Sequence, residues 1–301
     1  MYLTVDCAKL NEDGIILYEF YDESTDNDQF DYYDEKIKEL RKLSKTVYVI
    51  CYETSDNPEL NNISVIKFTR DKEREVIFNR GSFETFKNWY ISENGDGQQF
   101  DSKGFGDILN EGDRYVEQLL TNLVNCDMTK DNNGRKLIIP ALEGLNTHFF
   151  DFDLLHSKNK FILEFLKNDS HNKKVAGIQK WDLSNGETHP NRYWYKNKRK
   201  FITLWEASKI LDSELYLLSY SDNNDEPLHL MKVNNISNDG IDSDIGYKLS
   251  YDEFITWLNQ MGISIEDGSD YLTTNNFPQM VRDERFWGRD TAQWKSDLKN
   301  F

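Results

Sequence analysis

The chain has 301 residues and a mass of 35.6 kDa, long enough for one large domain or two smaller ones, and 38% hydrophobic with 14% aromatic residues supplies a packed core rather than wholesale disorder. The net charge of −17 argues against an indiscriminate grip on nucleic acid. Residues 158 to 200 depart from it, with eleven Lys/Arg against four Asp/Glu, a local net of +7 that leaves −24 elsewhere. Cys7, Cys51 and Cys126 are odd in number and far apart, which gives no disulfide framework or zinc spacing and suits a reducing cytosol. No basic-plus-apolar leader opens the sequence, and nowhere do 18 apolar residues run together. The expectation is a soluble, intracellular, cytoplasmic protein with no membrane contact.

In chain order, residues 14 to 21 (GIILYEFY) read as a strand and 33 to 44 as a helix. TVYVICY (46 to 52), ISVIKF (63 to 68) and EVIFN (75 to 79) are strand-like runs rich in β-branched residues. Phe83, Phe86, Trp89 and Tyr90 follow at helical spacing, as core-facing aromatics. The acidic run 22 to 35 reads as a solvated loop entering a helix. These elements make a small α+β domain over residues 1 to 95, with a boundary in the Gly, Asp and Asn-rich stretch 93 to 107.

Beyond the boundary the pattern predicts a helix from about 110 to 126, a strand in KLIIPALEG, and a hairpin over 146 to 167. Its runs Phe149 to Leu155 and Phe161 to Leu166 flank the polar turn 156 to 160. Side chains two apart share a face of a strand, so Asp151 and Asp153 point the same way, and Glu164 comes from the second run. Burying carboxylates beside Phe and Leu is costly without compensation, and a hard divalent cation would supply it. A helix over 198 to 212 then carries Phe201, Leu204, Trp205 and Leu211 on one face. ELYLLSY and LHLMKV read as strands, and 250 to 262 as a helix with a capping box at Ser250 and Glu253 and a stop at Gly262. The closing segment from Met280 to Phe301 reads as a terminal helix, the five histidines as loop or surface residues, and no internal repeat is apparent.

The order helix, strand, two acid-bearing strands, basic helix and strand resembles the PD-(D/E)XK nuclease superfamily over residues 107 to 235. This implies a restriction-endonuclease-like mixed sheet flanked by helices, within residues 107 to 301. The resemblance makes Asp153 the first acid and Glu164 the second, with Lys167 nearest to the superfamily's E-x-K lysine and Glu117 a further metal ligand from the preceding helix. Lys167 stands one place too far along, so Lys160 or Lys200 is the alternative ammonium, and Asp151 the alternative acid. The implied activity is Mg²⁺-dependent phosphodiester hydrolysis, with Mn²⁺ as a substitute, by an endonuclease rather than an exonuclease and on DNA rather than RNA. Lys173, Lys174, Lys180, Arg192, Lys196, Lys198 and Arg199, interleaved with aromatics, would then contact nucleic-acid phosphates. A homodimer or a protein partner is compatible with that reading. The alternative is a catalytically inactive, nuclease-like acidic protein that mimics nucleic acid or inhibits by binding a basic partner. The displaced lysine and the charge of −17 favour it.

Overall fold

The computed structural model describes residues 2–23, 30–53, 61–70, 74–95, 134–143, 147–158, 160–167, 190–220, 228–262 and 279–281. It is a mixed α+β protein whose contacts divide it into two units, with the division at Ser157 and Lys158 among the described elements.

Unit one begins with β1 (Tyr2–Asn11) and β2 (Gly14–Asp22), an antiparallel hairpin in which Cys7 faces Tyr18 and Asn11 faces Gly14. Helix α1 (Phe30–Leu43) crosses over to β3 (Thr46–Tyr52), which lies parallel to β2. β4 (Asn61–Thr69) and β5 (Glu75–Ser82) continue the sheet antiparallel, and α2 (Phe83–Asn94) follows. Helix α3 (Arg135–Leu142) and β6 (Phe150–His156) complete the unit, β6 pairing antiparallel with β1. The strand predicted in KLIIPALEG is therefore a helix. Leu137, Ile138, Ala141 and Leu142 are buried at helical spacing, and they join a core that includes Tyr18, Phe20, Phe86, Tyr90 and Phe149. Gly134 precedes that helix because a Cβ there would stand 2.5 Å from the Phe20 ring.

Unit two begins with β7 (Phe161–Lys167). After the 3₁₀ turn Pro190–Tyr193, helix α4 (Trp194–Ile210) crosses over to β8 (Glu214–Tyr220), parallel to β7. β9 (Leu228–Ile236) and β10 (Ile241–Leu249) continue antiparallel, α5 (Tyr251–Gly262) follows, and β11 (Gln279–Val281) pairs antiparallel with β10. The start of α4 is tied down by Asn191, which donates to Ile241 O at 2.9 Å and accepts from Ile241 N at 2.7 Å. Met280 and Val281, expected to open a terminal helix, lie in the strand β11; the rest of that segment and the expected helix at 110 to 126 lie outside the described residues. His156 and His229 are buried within β6 and β9 instead of lying at the surface.

The two units repeat one plan, strand–helix–strand–strand–strand–helix, which the sequence pattern had hidden. β2, α1, β3, β4, β5 and α2 correspond in order and strand sense to β7, α4, β8, β9, β10 and α5. The correspondence reaches single residues. Glu19 lies opposite Val49 as Glu164 lies opposite Leu217, and Tyr48 faces Lys67 as Tyr216 faces Lys232. Each of these lysines sits over its tyrosine ring, at 5.7 Å and 6.0 Å from the centroid. The last helix opens with Ser-Phe-Glu-Thr-Phe-Lys-Asn-Trp in one unit and Ser-Tyr-Asp-Glu-Phe-Ile-Thr-Trp in the other. Ser82 and Ser250 cap the two helices, accepting from Thr85 N at 3.2 Å and Glu253 N at 3.3 Å, and Glu253 closes the capping box onto Ser250 N. Trp89 packs on Tyr48 and Trp257 on Tyr216, each at a ring separation of 5.3 Å.

Three outcomes are expected. Ser82→Ala and Ser250→Ala should each cost about 1 kcal/mol in urea unfolding, because each removes one helix cap. Trp257→Ala, at a fully buried site, should cost about 3–5 kcal/mol. Burial pushes the Cys51 thiol from 9.0 up to about 12 and the Tyr48 phenol from 10.0 up to about 12, and it raises Cys7 and Tyr18 further. With folded pKa values above unfolded ones, the neutral forms favour folding at full strength below pH 9.0, and that contribution is lost as pH rises through 12. A melting temperature measured across that range should hold steady up to the lower limit and fall above it.

Candidate functional site

Mid-strand acids mark the positions where these sheets depart from a purely apolar core. In unit one the acid is Glu19 of β2, wholly buried among Tyr18, Phe20 and the rest of the strand. Helix α1 lays Ile37 and Leu40 on the sheet, and the same face carries Lys36. The Lys36 ammonium meets Glu19 Oε2 at 2.5 Å, with side-chain exposures of 2% and 0%, and donates to Thr4 Oγ1 at 3.3 Å. Asp6 of β1 stands beside this pair. Its backbone N–H donates to Glu19 Oε1 at 3.3 Å, and its Oδ2 accepts from Phe20 N at 2.8 Å. Neither Glu19 nor Lys36 belongs to the site expected from the sequence. The signal was present: Glu19 interrupts the run GIILYEFYD as Glu164 interrupts FILEFLK.

Unit two holds the counterpart. Glu164 of β7 is buried, and its Oε1 forms an ion pair with Lys200, which stands on α4 immediately before buried Phe201 as Lys36 stands immediately before buried Ile37. The exposures here are 36% for Lys200 and 2% for Glu164, so this pair opens to water on the lysine side. Of the three candidate lysines, Lys200 is thus paired with Glu164. Lys160 lies before β7 in a left-handed conformation, φ 49°, and pairs with exposed Asp212. Lys167 ends β7. Asp151 and Asp153 are half-buried in β6, within unit one, and Glu164 belongs to unit two.

The other candidates are placed as follows. Lys198 and Arg199 are half-buried in the first turns of α4, Lys196 lies in the same helix and Arg192 in the preceding 3₁₀ turn. Glu117, Lys173, Lys174 and Lys180 lie outside the described residues. Among those described, no three His, Cys, Asp or Glu side chains cluster as a metal-ligand set. A Mg²⁺ ion at Glu164 would have to share a carboxylate that an ammonium already holds. The described residues therefore fit a carboxylate–ammonium pair better than a cage of oxygen ligands.

The Lys200 ammonium is thus a compensating cation for the buried Glu164 carboxylate. Removing one partner of a buried ion pair leaves an uncompensated charge, at a cost of about 3–5 kcal/mol, whereas an apolar replacement of both is often neutral. The pair thus fixes which helix turn lies over which strand position, and it does so in both units. No described helix is long and apolar enough to cross a membrane. Comparison of the chain with protein-family models, with curated proteins and with solved structures gives no match.

Lys36→Met should destabilise the protein by about 3–5 kcal/mol in urea unfolding, since Glu19 is left sealed from water. Lys200→Met should cost about 1–3 kcal/mol, because water reaches the ammonium end of that pair.

Proposed function

We propose that the chain is an acidic interaction protein that binds a basic protein partner and performs no phosphodiester chemistry. The observation that carries this reading is the recurrence of the buried pair: Glu19 with Lys36, and Glu164 with Lys200, at corresponding strand and helix positions. A second, sealed copy makes the pair part of the module's architecture and gives Glu164 a structural role. The buried acid, on which a nuclease site would rest, then needs no catalytic explanation. What remains is a charge of −17 on a 301-residue body, which speeds and strengthens association with a cationic surface and repels nucleic acid.

One observation favours a second reading. Lys200 is 36% exposed where Lys36 is 2%, so the unit-two pair keeps an ammonium within reach of solvent, as a PD-(D/E)XK-like site with its lysine moved to the helix would require. In that reading Glu164 binds the metal and Lys200 stabilises developing charge on the scissile phosphate.

The two are separated by incubating wild type, Asp153→Ala and Glu164→Gln with supercoiled plasmid, linear duplex, single-stranded DNA and RNA, with Mg²⁺, Mn²⁺ or EDTA. The interaction reading expects no cleavage in any lane. It also expects a basic partner, recovered by cross-linking in the source cell and then purified, to bind with an affinity that falls as salt rises and that Asp153→Ala leaves unchanged. Metal-dependent cleavage by wild type that both variants lose would replace it with the nuclease reading.

A further inference from the structure

The repeat makes an unequal pair of sheet edges visible. In unit two β10 is covered: Ile245, Gly246 and Tyr247 pair antiparallel with Val281, Met280 and Gln279 of β11. In unit one the corresponding strand is β5, which among the described residues pairs with β4 alone. The registers align the two edges residue by residue. Glu75 lies opposite Lys67 and Val76 opposite Ile66, as Ile245 lies opposite Lys232 and Gly246 opposite Met231. Tyr247 lies opposite Leu230 as Phe78 lies opposite Val65, so the counterpart of the β11-paired triplet is Glu75, Val76 and Phe78, with Ile77 bulged between the last two.

That stretch carries Val76 at 52% and Ile77 at 37% exposure, two of the three large hydrophobic side chains that stand exposed among the described residues. An edge strand with free backbone donors and acceptors and apolar side chains is a template for another strand. Soluble proteins blunt such edges with bulges and charges. Here the first register shift falls between Val76 and Phe78 and leaves Ile77 as the extra residue, so Glu75 and Val76 precede the distorted part of the strand, in which Arg80 takes φ 52°.

We propose that β5 of unit one is a strand-addition site, which takes an extended apolar segment of a basic protein partner in antiparallel pairing, as β11 is taken by β10. This rests on the interaction reading above and specifies how the partner is held. The partner's backbone would complete the hydrogen bonds of Glu75 to Ile77, its apolar side chains would cover Val76 and Ile77, and its flanking basic residues would answer Glu75 and the overall charge of −17. The same charge opposes a second copy of this chain as the occupant.

The test uses the full isotope-labelled chain and a synthetic peptide, Gln-Met-Val flanked by two lysines on each side, which carries the residues of β11. Titration should shift the amides of Glu75 to Phe78 saturably and slow their hydrogen exchange. Val76→Lys and Ile77→Lys, both at exposed positions and checked for an unchanged melting temperature, should weaken the binding at least about tenfold. A peptide with proline in place of its central methionine should not bind. Unmoved β5 amides, equal binding by both variants, or a wild-type dimer in sedimentation that Val76→Lys disperses would each overturn the proposal. A basic partner captured with undiminished affinity by Val76→Lys removes the strand-addition site and leaves the interaction reading standing. Shifts at β5 in a protein that cleaves nucleic acid do the reverse.

Discussion

A carboxylate placed mid-strand under a helix has to meet a cation, and in both units that cation is a lysine of the crossover helix. The buried pairs of Glu19 with Lys36 and Glu164 with Lys200 connect the parallel strand pair of each unit to the helix that joins it. Apolar contacts from Ile37, Leu40, Phe201 and Leu204 also hold those helices in place. A slip that parts either pair would leave the buried carboxylate desolvated and uncompensated, and in unit one the Lys36 ammonium as well. The interaction contributes specificity more than net stability.

From that constraint the other shared features follow in order. With the helix fixed, the tyrosine of the next strand, Tyr48 or Tyr216, is positioned for its cross-strand lysine on one side and for the tryptophan of the final helix on the other. The serine cap then sets where that final helix begins. One plan used twice has been allowed to diverge where packing permits. The lock is sealed in unit one and open at its lysine in unit two, and the outer strand is covered in unit two and bare at Val76 and Ile77 in unit one. The differences, more than the common frame, are where distinct roles for the two units are to be sought.

Much of the frame was legible in the chain. The runs at 14 to 21, 46 to 52, 63 to 68, 75 to 79, 149 to 155 and 161 to 166 are rich in β-branched and aromatic residues, and each forms a strand, with Phe149 just outside β6. What escaped has physical reasons. β1 and β10 carry Asp6, Lys9, Asp242 and Asp244 among their apolar residues, so neither alternation nor an apolar run announces them. Leu137 to Leu142 is short enough to fit either period, and only the burial of positions one and four apart decides for a helix. The repeat is carried by a few residues spread over unequal spacings: ten positions separate Lys36 from Thr46 where β3 begins, but fourteen separate Lys200 from Glu214 where β8 begins, about one extra helical turn. At the candidate site, Glu164 and the possibility of Lys200 could be read in advance. The ammonium as the acid's compensating charge could not, because that needs the helix docked on the strand.

The central claim is that each Glu–Lys pair couples energetically as one buried unit. It is tested most directly by two double-mutant cycles, Glu19→Leu with Lys36→Met and Glu164→Leu with Lys200→Met, read by urea unfolding. The account predicts that in each cycle the double variant is more stable than the sum of the single losses implies, by about 1–3 kcal/mol, with the larger coupling in the sealed pair of unit one. Additive losses in both cycles would contradict it, since the pairs would then be neighbours in space with no shared role in holding helix to sheet.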